Sequence, residues 1–174
     1  MQYCTVESKK MGIFQITLAL ATLLCSLVAG FVFAFAVVVM PGIGKLADGE
    51  FLRAFQVIDR VIQNNQPLFM LVWLGSVLAL LAAAVLGFRQ LDGSGRLLMG
   101  ASVLVYLFGV QLPTATINVP LNNKVQALQI ADTEDAALAT ARPEFESRWV
   151  FWNWVRTILA VLVSVLLIVL LLRL

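Results

Sequence analysis

The chain has 174 residues, of which 61% are hydrophobic and 13% are charged, whereas a soluble domain carries about 45–50% apolar and about 25% charged residues. A chain of this length cannot bury so much apolar surface in water, and its formal net charge of +2, with no basic run, provides no general affinity for nucleic acid. The absence of histidine excludes a Ser/His/Asp triad, a His-held haem and a His-ligated zinc or copper site.

The apolar residues fall into four stretches that reach or approach the length of a membrane helix, which needs about 20 apolar residues. The first stretch is longer than the apolar region of a signal peptide, about 7–15 residues, so we interpret it as a retained span. We predict an all-α integral membrane protein with four transmembrane helices in one bundle. A polar head of residues 1–11 precedes this single domain of residues 12–174, and the spans cover about residues 12–40, 67–88, 97–118 and 149–172.

The two cysteines lie in different surroundings, Cys4 in the polar head and Cys25 inside the first apolar run. A disulfide between them is therefore not expected. Two cysteines are also too few for a Cys-rich metal site. We predict two unpaired thiols and no metal site.

The connection between the first two spans contains an amphipathic segment, residues 48–63. Within it Phe51, Phe55, Ile58 and Ile62 recur at helical spacing on one face. We predict an interfacial amphipathic helix, which either lies in the membrane interface or caps the bundle as a lid.

The distribution of basic residues predicts an orientation. The two termini and the short turn of residues 89–96 are denser in Lys and Arg than the two long connections, residues 41–66 and 119–148. Cytoplasmic segments carry the excess of Lys and Arg, so both termini are predicted to be cytoplasmic, in the plasma (inner) membrane. The basic residues concerned are Lys9, Lys10, Arg89, Arg96 and Arg173.

Polar residues gather at the end of the third span. Four of them share one helix face if the helix continues through Pro113 and Pro120: Gln111, Thr114, Asn118 and Asn122. If the helix stops there, Asn118 is instead a cap or turn residue before Pro120. Contact with a ligand and a purely local role both stay open for Asn118.

A second polar group lies in the first two turns of the fourth span, which contain Trp149, Trp152, Asn153 and Arg156. Arg156 lies about two helical turns inside the apolar run, where a charge is costly. The spans contain no Asp or Glu, so its partner must be a loop carboxylate, a backbone carbonyl or an anionic ligand. A structural role and a binding role are both open.

A third polar cluster lies just before the second span, in the run Gln63-Asn64-Asn65-Gln66-Pro67. The connectivity of the chain places all three clusters at the same membrane face. Their convergence favours a shared site over three unrelated features.

The order of several motifs carries a family resemblance. Met40-Pro41 is followed by the amphipathic segment, then by Thr116-Ile117-Asn118-Val119-Pro120-Leu121-Asn122, and then by Trp149, Trp152-Asn153 and Arg156. This order, from about Gly12 to the C-terminus, resembles the anthrone oxygenase-like family of small four-span membrane proteins. The resemblance implies oxygenation of an anthrone to an anthraquinone, with neither a metal nor a flavin cofactor.

The implied site binds a hydrophobic phenolic or quinone-like molecule. An anthrone readily loses a proton from its central methylene carbon, and the anion reacts with oxygen directly. The protein must then supply an apolar slot, a base and donors for the anion. The candidate catalytic residues are Arg156, Asn153 and Asn118, and the candidate substrate-binding residues are Asn122, Trp149, Trp152, Gln63 and Asn64. The base stays open among Asp59, Glu144 and Glu146.

Two other functions compete with an enzyme. The sequence fits equally a non-catalytic accessory subunit of a larger membrane complex, in which the polar cluster stabilises the fold or binds the head group of a lipid or quinone. Coupled transport is disfavoured, because the spans contain no ionisable relay and no evident inverted repeat. The expected partners are membrane lipid, a hydrophobic aromatic small molecule, and either a second copy of the chain or a larger membrane complex.

Overall fold

The computed structural model describes residues 12–174, so the predicted polar head with Cys4, Lys9 and Lys10 lies outside the described residues. The described chain is helical and contains no strand. Four of its helices are long and apolar enough to cross a membrane, which confirms the predicted all-α, four-span fold. They are α1 (Ile13–Ile43), α3 (Pro67–Gly87), α4 (Gly93–Gln126) and α5 (Asp135–Leu172), and the shorter α2 (Asp48–Gln63) lies between α1 and α3.

Small residues let α1 and α3 approach closely. Gly75, Ala79, Ala83 and Gly87 recur every fourth residue along α3, and a Cβ on Gly87 would lie 2.5 Å from the ring of Phe14 on α1. Lipid is as apolar as a side chain, so close packing rather than exclusion of water drives this contact. The same core holds Cys25 as a buried free thiol.

Helix α4 is longer than the predicted span of residues 97–118, because it continues through both of its prolines. Pro113 lacks an N–H and crowds the preceding turn. The helix accommodates it with two π-helical turns, Val105–Gln111 and Thr114–Asn118. The polar positions at the end of the span therefore stay on one helix, which ends at Gln126.

Helix α5 begins at Asp135, well before the predicted start at residue 149. Its first residues are rich in Ala, Glu and Arg, which have a high helix propensity but do not form an apolar membrane-spanning stretch. The apolar criterion that defined the span could not detect this part of the helix. The predicted connection of residues 119–148 shrinks to a short segment with one 3-10 turn, Ile130–Asp132.

Helix α2 has the predicted bounds, Asp48–Gln63, and turns its apolar face toward α5. Phe51 and Phe55 are fully buried, and the ring centroid of Phe55 lies 4.6 Å from that of Phe145 and 5.5 Å from that of Trp149. α2 thus covers the part of the bundle where α4 ends. Its location in the membrane interface stays a prediction.

The side chain of Arg142 on α5 forms hydrogen bonds to the residues at the start of α2. Its Nη2 donates to the carbonyl of Gly44 at 2.7 Å, and its Nη1 donates to the carbonyl of Leu46 at 2.8 Å and to Asp48 Oδ1 at 3.1 Å. Its Nε donates to Glu146 Oε2 at 2.8 Å. This set of contacts joins the α1–α2 loop to α5 and holds α2 in place.

Candidate functional site

A cavity of about 220 Å³ lies beneath α2, where α1, α3, α4 and α5 also contribute to its wall. Most of the wall is apolar, and its aromatic members are Phe31, Phe35, Phe55, Phe69, Trp73 and Trp149. The polar members are Asp59, Thr114, Asn118, Asn122, Asn153 and Arg156. Ligand sites commonly combine an apolar wall with a few placed polar groups. The three polar clusters of the sequence all contribute residues to this cavity or to its immediate surroundings.

Arg156 presents a buried guanidinium at the cavity wall, 5% exposed. Its Nη1 donates to Thr114 Oγ1 at 2.9 Å and its Nη2 donates to Asn153 Oδ1 at 2.8 Å. Its Nε has no hydrogen-bond partner, and no carboxylate of the described residues forms an ion pair with it. Because a guanidinium carries five N–H donors, this group retains unused donors and an uncompensated positive charge.

Asn153 holds Arg156 against α1. Its Nδ2 donates to the carbonyl of Val32 at 3.0 Å, while its Oδ1 accepts from Arg156. Val32 lies just before the π-helical turn Phe35–Val39 in α1, and π-turns disturb the regular pairing of carbonyls. The amide of Asn153 therefore orients the guanidinium and links it to the backbone of α1, where the Val32 carbonyl also accepts from the N–H of Phe35.

Thr114 completes the support of the guanidinium from α4. Its hydroxyl donates to the carbonyl of Val110 at 2.7 Å, which leaves a lone pair for Arg156 Nη1. Thr114 is the first residue of the π-helical turn that follows Pro113. The proline that lengthens this turn thus helps to place a polar side chain at the cavity.

Asn118 is buried on α4, 1% exposed, and faces α5. Its Nδ2 donates to the backbone carbonyl of Trp149 at 3.3 Å, and its Oδ1 has no partner within residues 12–174. Asn118 and Arg156 both line the cavity, so the structure brings together the two residues on which the predicted site depends. Buried polar atoms without partners are rare in folded proteins and invite a ligand or water.

Trp149 connects the two sides of the cavity. Its ring lies 5.6 Å from Cζ of Arg156, within the range of a cation–π contact. Its indole Nε1 donates to Asn122 Oδ1 at 2.7 Å, and Asn122 Nδ2 donates to Asp59 Oδ1 at 2.7 Å. An indole N–H can only donate, so it fixes which end of the Asn122 amide faces Asp59.

Asp59 is a buried carboxylate on α2, 3% exposed. Besides Asn122, two amides donate to its Oδ2, Gln63 Nε2 at 2.8 Å and Gln126 Nε2 at 2.9 Å. No cation of the described residues pairs with it. Gln126 Nε2 also donates to the carbonyl of Gln56 at 2.9 Å, so the same network joins α2 to α4.

Three of the predicted substrate-binding residues lie off the cavity wall. Gln63 is exposed and reaches the site only through Asp59. Asn64 is exposed and ends α2, and the next residue, Asn65, adopts the left-handed conformation of a helix-ending turn (φ 56°). Trp152 is half-buried and packs edge-on against Phe151 at 5.7 Å. Asn122 and Trp149 line the cavity.

The three candidate bases are separated by the fold. Asp59 lines the cavity, whereas Glu146 is bound to Arg142. Glu144 borders a different cavity, together with Arg148 and Lys124. Asp59 is therefore the candidate that shares a cavity with Arg156.

Several aromatic wall residues were not identified from the sequence. Phe31 on α1 meets Phe69 on α3 at a centroid distance of 5.1 Å, and Phe69 stacks on Trp73 at 5.4 Å. Phe69 and Trp73 are four residues apart, which places them on one helix face. That spacing alone does not distinguish a cavity wall from ordinary core, since only the fold brings Phe31 beside them.

A family model described as anthrone oxygenase matches residues 59–166, more than half of the chain. The matched segment begins at Asp59 and includes Arg156, so it contains every polar residue of the cavity wall. Comparison with curated proteins gives no match, and comparison with solved structures gives none. The family match agrees with the resemblance noted in the sequence.

Proposed function

Because the chain belongs to the anthrone oxygenase family, we propose that it binds a flat, hydrophobic phenolic molecule and oxygenates it with dioxygen, without a resident cofactor. The substrate class is an anthrone or a related ring system with an acidic methylene group, and the product is the corresponding quinone. Arg156 stabilises the anion that forms during the reaction, Asn153 holds the guanidinium in position, and the Oδ1 of Asn118, unpartnered within the described residues, accepts a hydrogen bond from a phenolic hydroxyl of the substrate.

One observation carries this proposal, the uncompensated guanidinium of Arg156 at the wall of an aromatic cavity. A cation held in an apolar surrounding interacts strongly with a developing negative charge, because little water screens it. Loss of the methylene proton places negative charge on the ring oxygen of an anthrone. Arg156 binds this oxygen, while Asn153 and Thr114 hold the guanidinium in position.

The aromatic wall accounts for the rest of the recognition. Trp149 contacts two other rings of the cavity wall, with centroid distances of 5.7 Å to Phe35 and 5.5 Å to Phe55. A planar ring system packs well against such faces and edges. A wider apolar groove of about 490 Å³ shares Phe31 and Phe69 with the cavity, and we propose this groove as the side from which a substrate dissolved in lipid enters.

The test uses purified protein in detergent with a hydroxylated anthrone in air, with quinone formation and oxygen uptake measured together and corrected for spontaneous oxidation. Arg156→Gln should slow quinone formation about a hundredfold, the typical cost of removing one donor to an oxyanion. Arg148→Gln is the matched control, because Arg148 is exposed and borders a different cavity. Equal rates for wild type and Arg156→Gln would refute the proposal.

The accessory-subunit alternative expects the polar cluster to be satisfied within the protein. Arg156 Nε and Asn118 Oδ1 instead lack partners among the described residues, which supports ligand binding. Association with a second copy or a larger complex stays a prediction. The mass of the protein extracted in lipid nanodiscs distinguishes a single chain from an assembly.

We also propose that the protein lies in the plasma (inner) membrane with both termini in the cytoplasm. The density of basic residues at the termini and the α3–α4 turn supports this orientation. Arg173 Nη2 donates to Ser94 Oγ at 2.7 Å, so the C-terminus and that turn lie at one end of the bundle. Tags at both ends test it, and accessibility of either tag from outside would refute it.

A further inference from the structure

The carboxylate of Asp59 has an acceptor position that residues 12–174 leave free. An ionised carboxylate offers about four lone-pair positions on its two oxygens. Gln63 and Gln126 occupy two of them on Oδ2, and Asn122 occupies one on Oδ1. The remaining position is on Oδ1, and Asp59 is part of the cavity wall.

The surrounding amides orient this carboxylate rather than neutralise it. Trp149 Nε1 fixes the amide of Asn122, and Asn122 Nδ2 then holds Asp59 Oδ1 at 2.7 Å. No cation of the described residues pairs with Asp59 or consumes its charge. A buried carboxylate that is held in one orientation, with no paired cation among the described residues, is equipped to accept a proton from a bound molecule.

We propose that Asp59 is the catalytic base of this protein, an inference that rests on the proposed oxygenation. Asp59 takes one proton from the methylene carbon, and the electron pair of the broken C–H bond spreads to the ring oxygen beside Arg156. Dioxygen then forms a bond to that carbon and is reduced to a peroxide anion, which takes the proton back from Asp59.

The second half of the reaction releases water and forms the carbonyl, with Asp59 already returned to the carboxylate. The remaining C–H bond of the same carbon breaks, its electron pair forms the new carbonyl, and the O–O bond breaks. The departing hydroxide combines with the released proton to give water. One dioxygen is consumed, the methylene carbon is oxidised to a carbonyl, and Asp59 is again ionised.

The decisive experiment separates proton removal from oxygenation. Anthrone is incubated with the protein in deuterated buffer without oxygen, and deuterium in the methylene group is followed by mass spectrometry. Wild type should accelerate this exchange, and Asp59→Ala should lose about a hundredfold of that acceleration, within the usual range for a general base. Glu144→Ala, which removes a carboxylate from the neighbouring cavity, is the matched control and should keep the wild-type rate.

Two further measurements exclude a merely structural role in joining α2 to α4. Added formate should restore exchange in Asp59→Ala without restoring its thermal stability, because the small acid supplies the base and not the cross-link. Asp59→Asn keeps the size of the side chain, so this variant should bind anthraquinone and still fail to catalyse deuterium exchange of the anthrone. It replaces Asp59→Ala in the experiment if Asp59→Ala does not fold.

The outcomes distinguish this inference from the proposed function. If Asp59→Asn exchanges protons and forms quinone at the wild-type rate, the role of Asp59 is wrong while oxygenation stands. If wild type itself neither exchanges nor oxidises an anthrone, the proposed function fails and the inference falls with it.

Discussion

The indole N–H of Trp149 donates to Asn122 Oδ1 at 2.7 Å, and this bond determines the direction of the Asn122 amide. The amide N–H of Asn122 must then point at Asp59. The same tryptophan places its ring 5.6 Å from Cζ of Arg156. One side chain therefore positions the carboxylate on one side of the cavity and contacts the cation on the other.

Trp149→Phe tests this relationship, because it keeps a ring in the wall and removes the N–H. Asn122 Oδ1 is left without its donor in a part-buried position, so we expect the free energy of unfolding to fall by about 1 kcal/mol, the typical contribution of one hydrogen bond. We expect quinone formation to slow about tenfold, since a loss of 1.36 kcal/mol in transition-state stabilisation has that effect. Trp152→Phe, off the cavity, should leave both quantities unchanged. Equal rates for Trp149→Phe and wild type would contradict the positioning role.

Asn153→Asp tests whether the free charge of Arg156 matters. The new carboxylate would stand where Asn153 Oδ1 now accepts from Nη2 at 2.8 Å, and would neutralise the guanidinium. We expect the affinity for an anionic phenolate ligand to fall about tenfold or more, equivalent to about 1.4 kcal/mol of binding free energy. Titration followed by tryptophan fluorescence measures it. Asn64→Asp makes the same chemical change at an exposed position and should bind as wild type; a similar loss there would point to net charge instead.

The sequence predicts elements well where one periodic signal is bounded by clear ends. The bounds of α2, Asp48–Gln63, agree because Phe51 and Phe55 repeat at helical spacing and polar residues end the segment. The convergence of Asn118 and Arg156 follows from counting membrane crossings. Neither conclusion required knowledge of how the helices pack.

The sequence does not predict features that depend on register or on neighbouring helices. Trp149 and Trp152 are both tryptophans at the start of one span, yet they are offset by about 60° around the helix axis, and only Trp149 lines the cavity. The π-helical turns around Pro113 depend on how α4 packs. The contact between Thr114 and Arg156 joins α4 to α5 across that packing.

Acid should weaken the contact between the α3–α4 turn and the C-terminus. The backbone N–H of Gly95, then the hydroxyl of Ser94 and more weakly Arg173, lower the pKa of Asp92 below its ordinary value of 3.8. A lowered pKa means that the folded state favours the carboxylate, so its stabilising effect is complete above about pH 4. The effect is lost as the pH falls through the lowered pKa.

Thermal unfolding in detergent between about pH 3 and pH 7 measures this effect. Asp92→Asn keeps a good helix cap and removes the charge, so its unfolding temperature should lie below that of wild type at neutral pH and approach it in acid. The contrary result, a gap between the two proteins that widens as the pH falls, would show that the carboxylate is not stabilised in the fold.

Arg142→Ala should weaken the attachment of α2 to α5. Arg142 does not line the cavity, so any effect on the cavity would come through α2. Arg142 makes contacts with Gly44, Leu46, Asp48 and Glu146, and its side chain is 16% exposed while its carboxylate partners are 28–42% exposed. Water screens such pairs, so we expect a loss of only about 1–2 kcal/mol in the free energy of unfolding.

Local opening of α2 is the more sensitive readout, because the loop loses its two backbone carbonyl contacts together. In Arg142→Ala we expect faster proteolysis in the α1–α2 loop and faster hydrogen exchange along α2, since weakly held segments open without global unfolding. Arg148→Ala removes an exposed arginine from the same helix and should change neither rate. Quinone formation should fall in Arg142→Ala in proportion to the opening of α2, because Phe55 and Asp59 reach the cavity only when α2 is docked. Full activity in a variant whose α2 exchanges freely would mean that α2 is not part of the site.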